Sequence, residues 1–206
     1  MRLRRVPRES QFYELFIELA EHLQDGSLVL AELSGIPVDE RRAAAGRMQE
    51  ICDAADASAG AVLRRLRENY VTPLDRDDLY LLSDSLRVTC HALDAVGFAM
   101  TSSAFDDLPV GALEMLALLS TQADQTLRMT QRLRGKTDQW EYVESIDTLY
   151  HRAVGLQQRV SDAVPASRRG LTYAMAAIQL SAAFVQASRS FKEIARVIGT
   201  IAVKES

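Results

Sequence analysis

The chain has 206 residues, a net charge of −4, 48% apolar content and only 6% aromatic residues. That apolar share supports a packed core of Leu, Ala, Val and Ile and argues against disorder, while the charge gives no general attraction to nucleic acid or to anionic membrane. No apolar run reaches the roughly 18 residues a membrane span needs, and the basic residues 1–8 are followed by Glu14, Glu18 and Glu21, so neither a spanning segment nor a signal peptide is expected.

Hydrophobic periodicity predicts six long helices. The first, over 7–33, carries Phe12, Leu15, Phe16, Leu19, Leu23, Leu30 and Leu33 at spacings of three and four, the mark of one buried face. Gly35 and Pro37 end it. The second runs over 38–70 with Met48, Ile51, Ala55, Val62 and Leu66 inward. The third begins in the 72–75 region, follows Leu79, Leu82, Leu86, Leu93, Val96 and Met100, and breaks near Asp106 to Pro109. The fourth spans 110–134 with Leu113, Leu116, Ala123 and Leu127, and Gly135 closes it. Asp138 and Glu141 open the fifth, which buries Trp140, Val143, Ile146, Leu149 or Tyr150, Ala153, Leu156 and Val160. After a break at Pro165 and Ser167, the sixth carries Leu171, Ala174, Ile178, Val185, Ile194, Ile198 and Ile201. No stretch alternates with period two long enough for a strand. Long helices with short joins make an all-α, antiparallel bundle the expected fold.

The segment 72–79 (Thr-Pro-Leu-Asp-Arg-Asp-Asp-Leu) organises the first half. Pro73 cannot continue a helix but suits the start of one. Thr72 is the expected N-cap, with Asp75 three residues on, and Asp75, Asp77 and Asp78 suit the positive end of the helix dipole. A faint repeat accompanies this. Asp53 with Asp56, and Glu144 with Asp147, are acid pairs at i, i+3, and the pairs stand 91 residues apart. The breaks at Pro73 and Pro165 stand 92 apart. Two tandem three-helix units, 7–106 and 109–203, within a single domain over 1–206 explain both spacings.

Each acid pair places two carboxylates on one helix face, where they can serve one cation or sit as a solvated, ion-paired surface. His22, His91 and His151 lack HxxxH or ExxH spacing, and His91 falls on the inward side of the third helix. Cys52 and Cys90 lie in apolar helical patterns without CxxC spacing and are expected to be reduced and buried. The basic start, Arg2, Arg4, Arg5 and Arg8, reads as a frayed, solvated terminus ahead of a contact to an acidic partner surface or to lipid headgroups. No GxSxG, GxGxxG or GxxxxGK motif is present, so nothing points to an enzyme.

The segment 72–79 resembles the hallmark of the PhoU-like proteins associated with Pit-type phosphate permeases. The opening Phe12-Tyr13-Glu14-Leu15-Phe16, the Ala55-Asp56 step, Asp147 to Ala153 and the ending Ile201-Ala202-Val203-Lys204 resemble that family in the same order. The resemblance implies six helices as two trios, a cytoplasmic location reaching the membrane only through a partner, and a non-catalytic role in regulating inorganic phosphate transport by contact with the permease. It also implies clusters of acidic residues that bind metal. Here the chain departs from the pattern. Arg87, Val88 and His91 stand where an acidic run is usual, Cys52 and Val143 replace the acids four residues before Asp56 and Asp147, and Arg189 replaces an Asp. The candidate metal ligands are therefore Asp53, Asp56, Glu144, Asp147 and His91, with a nearby Arg expected to neutralise the surviving Asp residues. No cofactor is expected, and any divalent or ferric metal is expected to bind weakly. The alternatives are a metal-binding helical bundle and a self-associating structural module, since amphipathic helices with spare Ala- and Leu-rich faces also make a homodimer.

Overall fold

The described residues fold as six α-helices: α1 (Ser10–Gly35), α2 (Val38–Glu68), α3 (Arg76–Met100), α4 (Ala112–Arg132), α5 (Trp140–Ala163) and α6 (Leu171–Glu205). A single 3-10 turn, Pro165–Ser167, precedes α6, and no strand occurs among the described residues. The computed structural model describes residues 10–135 and 138–205. The basic start, Arg2 to Arg8, and the expected beginning of the first helix at Pro7 lie outside them. The all-α class expected from periodicity is the one observed.

Polar partners reveal the helix directions. Along α1 and α2 they recede from each other in sequence as the helices are followed. Arg47 meets Glu32, Ser58 meets Glu18 and Arg65 meets Gln11. The two-residue join Ile36-Pro37 therefore folds α2 back along α1. The same pattern makes α4 and α5 antiparallel, through Arg159 with Glu114 and Thr126 with Tyr142. α3 packs on both α1 and α2, and α6 on both α4 and α5. α3 also packs on α6, and α1 on α4, so one apolar core runs from Phe12 to Ile201 through all six helices.

Most of the expected inward residues are buried, and the exceptions cluster in the second half. Leu113, Trp140, Leu171 and Ile178 are exposed instead. In the first half of α6 the buried stripe is Tyr173, Ala177, Leu180, Phe184, Ala187 and Phe191, rotated away from Leu171, Ala174 and Ile178, while Ile194, Ile198 and Ile201 are buried as expected. Both stripes have helical spacing, but only the observed one places the aromatic rings inside, which removes more apolar area from water.

Two helix ends also differ from expectation. α3 stops at Met100, and 101–111 is a loop that tucks Phe105 into the core. Gly111 ends that loop at φ 91°, a conformation that strains any residue with a Cβ, and α4 begins just after it. Arg41, only 3% exposed, holds the loop in place. Its Nε donates to the Ile36 carbonyl at 3.2 Å, Nη1 to Phe105 O at 3.2 Å and Nη2 to Asp106 O at 3.5 Å.

Gln122 in α4 is fully buried, and neither end of its amide has a partner among the described residues. Leaving a buried amide unpaired forfeits its hydration without return, at about 1–3 kcal/mol. Gln122→Met keeps the volume and removes the amide, so it is expected to raise the free energy of unfolding by about 1 kcal/mol in urea titration. A loss of stability would show that the amide has a partner in solution.

Candidate functional site

The segment 72–79 is a joint between three helices. The Thr72 hydroxyl donates to Leu74 O at 2.8 Å and does not cap α3. Asp75 is the cap. Its carboxylate accepts from the Asp77 N–H at 2.9 Å, and the helix begins at Arg76. The expected Thr72 cap is thus corrected, because Pro73 and Leu74 stand outside the helix. Arg76 turns back to the end of α2, donating to the carbonyls of Leu66 and of Asn69, the latter at 2.7 Å. A guanidinium there satisfies orphan carbonyls and complements the negative end of the dipole. Asp78, 3% exposed, accepts two hydrogen bonds from Lys204 Nζ at 2.8 and 2.9 Å. Asp75, Arg76 and Asp78 thereby start α3, finish α2 and fasten the last turn of α6.

The first acid pair lies on the seam between α2 and α3. Asp56 Oδ1 is 3.0 Å from His91 Nε2 and 3.3 Å from Arg87 Nη1, and Arg87 also donates to Asp84 at 2.9 Å. The hydrogen bond from His91, and after it that from Arg87, holds the Asp56 carboxyl below its ordinary value. Asp53 does not join this cluster. It is exposed and accepts from Gln49 at 3.0 Å. His91, expected on the inward side, is half-exposed at the seam. Beneath it, Cys52 and Cys90 are free and buried with their sulfurs 3.7 Å apart, and their contact, then burial, pushes the Cys90 thiol up.

The second pair separates in the same way. Asp147 faces α6, 2.6 Å from Lys192 Nζ and 3.5 Å from His151 Nε2. Lys192 is the main cause of a lowered Asp147 carboxyl, and it also lies 4.7 Å from the Tyr150 ring centre. Glu144 is exposed, and its carboxylate makes no hydrogen bond or ion pair among the described residues. The expected neutralising cation is Arg87 for Asp56. For Asp147 it is Lys192 and not Arg189, which is exposed and forms no ion pair among the described residues.

These donor sets do not fit a metal ion. A hard cation needs several oxygens converging at roughly 2.0–2.6 Å, without a fixed positive charge among them. Each Asp is already held by two basic side chains, and among the described residues no three His, Cys, Asp or Glu converge. Periodicity found the acids but not Arg87 and Lys192 as their partners, since those are 31 and 45 residues away in sequence.

The lowered carboxyls imply a weak pH dependence. Both folded-state values lie below the ordinary 3.8, so their stabilisation is complete above that pH and is lost as the pH falls through the folded values. The side chains are 46% and 47% exposed, so solvent screening limits each pair to about 1 kcal/mol or less. Asp56→Asn with Asp147→Asn is expected to lose less stability between about pH 4 and pH 2 than the parent chain. Equal slopes in urea titrations across that range would contradict the assignment.

No protein-family profile matches this chain, and no curated protein matches it.

Proposed function

We propose that this chain is a PhoU-like, non-catalytic regulator of inorganic phosphate transport that acts by contact with a Pit-type permease at the cytoplasmic membrane face. The observation that carries the reading is the Asp78–Lys204 ion pair. It joins two of the segments that carry the resemblance, 72–79 and the closing residues 201–204, through side chains 126 residues apart in sequence. The six-helix fold supports the reading as well. So does the exposed apolar surface that docking requires. Phe98 is 70% exposed beside a groove of about 630 Å³ between α2, α3 and α6, and Met175 and Ile178 are exposed on α6.

Metal plays no part in this proposal, because the surviving acids are engaged by Arg87, His91, Lys192 and His151. Titration of the purified chain with iron, manganese or zinc is expected to show only weak, sub-stoichiometric retention after desalting. Tight stoichiometric metal lost in Asp56→Asn or Asp147→Asn would contradict this.

The functional test is uptake of labelled phosphate by cells that contain the permease, with and without this chain. The reading predicts a changed uptake rate at an unchanged permease level. Identical uptake would contradict it.

A further inference from the structure

We propose that Cys52 and Cys90 form a reversible disulfide between α2 and α3 when the folded protein meets hydrogen peroxide. These are the only two cysteines in the chain, and the fold brings them together from 38 residues apart. Both are fully buried, and the sulfurs stand 3.7 Å apart with no disulfide between them. Bonded sulfurs sit about 2.05 Å apart, so each must move by only about 0.8 Å, within reach of small side-chain rotations. The cross-link site adjoins the Asp56 cluster. Cys52 is one helical turn before Asp56, and Cys90 precedes His91. A bond there braces the seam on which Asp56, Arg87 and His91 meet.

The chemistry balances in two steps. One thiol attacks a peroxide oxygen, the O–O bond breaks, and the products are a sulfenic acid and water. The second thiol then attacks the sulfenic sulfur, the S–S bond forms, and the hydroxyl leaves with a proton as a second water. The sulfurs together lose two electrons to the peroxide. Burial makes the pair a slow reactant that responds when the seam opens briefly. The neighbouring thiol then captures the sulfenic acid before further oxidation.

The test treats the folded full-length chain with hydrogen peroxide, then unfolds it in an alkylating reagent and maps the peptides without reduction. Met175, 63% exposed, serves as the internal control for oxidant exposure. The expected result is a Cys52–Cys90 linked peptide, a fall from two alkylatable thiols to none, unchanged helical circular dichroism and full recovery of both thiols after reduction. In Cys52→Ala, Cys90 is expected to gain oxygen. Sulfinic acid at either cysteine of the parent without a linked peptide overturns the proposal. So do two free thiols once Met175 is oxidised, or a linked peptide that appears only with loss of helix.

Discussion

Phe191→Ala is expected to cost about 4 kcal/mol of folding free energy, within the range for emptying a filled aromatic site in a core. For a chain of this length that corresponds to a fall in melting temperature of roughly 8–16 °C. Phe191 has no exposed surface, and it lies on the α6 stripe that also buries Phe184, Ile194 and Ile198. α6 contacts α3, α4 and α5, so a cavity on this stripe weakens its packing on three other helices. Ile178→Ala on the same helix removes a side chain that is 48% exposed, and its effect is expected to stay within about 0.5 kcal/mol. The pair of variants reads out the rotational setting of α6 by denaturant titration. Similar losses from both would place Ile178 in the core, as periodicity alone predicted.

Arg41→Met is expected to destabilise by about 3 kcal/mol. Methionine replaces the packed stem but leaves the carbonyls of Ile36, Phe105 and Asp106 without their donor. Two effects compete. Burying a guanidinium is expensive, and no carboxylate neutralises it through the hydrogen bonds seen here, so removing the charge returns part of the loss. The buried Phe105 carbonyl, at about 1–3 kcal/mol, and the two part-buried ones, at less each, together outweigh that return. Arg41→Lys is expected to recover less than half, since one ammonium cannot span three acceptors on two loops. Amide hydrogen exchange adds a local readout. The loop 101–111 should exchange faster in Arg41→Met, while the middle of α3 keeps its protection. Arg41→Met within about 0.5 kcal/mol of the parent would show that the guanidinium contributes no net stability.

The contrast between these residues shows what the sequence made legible. Helix number, class and the core faces of α1, α2 and α3 follow from apolar spacing, because each of those helices carries only one continuous stripe. The first half of α6 offers two. Leu171, Ala174 and Ile178 form one, and Tyr173, Ala177 and Leu180 form the other, so spacing alone could not choose. Arg41 gave no signal at all. It stands beside Asp39, Glu40 and Arg42 in a charged helix start, where a solvated side chain is the ordinary outcome, and two of its three acceptors come from a loop 64 and 65 residues away. The candidate site divides in the same manner. Asp56 and Asp147 were found from spacing and resemblance. Glu144 and Asp53 were grouped with them because i, i+3 neighbours share a face, yet sharing a face does not make two carboxylates converge. The roles of Asp75, Arg76 and Asp78 at one joint depend on where α2 ends and where α6 arrives, which a local pattern does not encode.

The most direct measurement of the central claim is co-purification of the tagged chain with a Pit-type phosphate permease from detergent-solubilised membranes. A bundle that regulates by docking predicts recovery of the permease in fixed proportion through gel filtration, whether or not chelator is present. A permease that elutes entirely apart from a folded, helical chain would contradict the account.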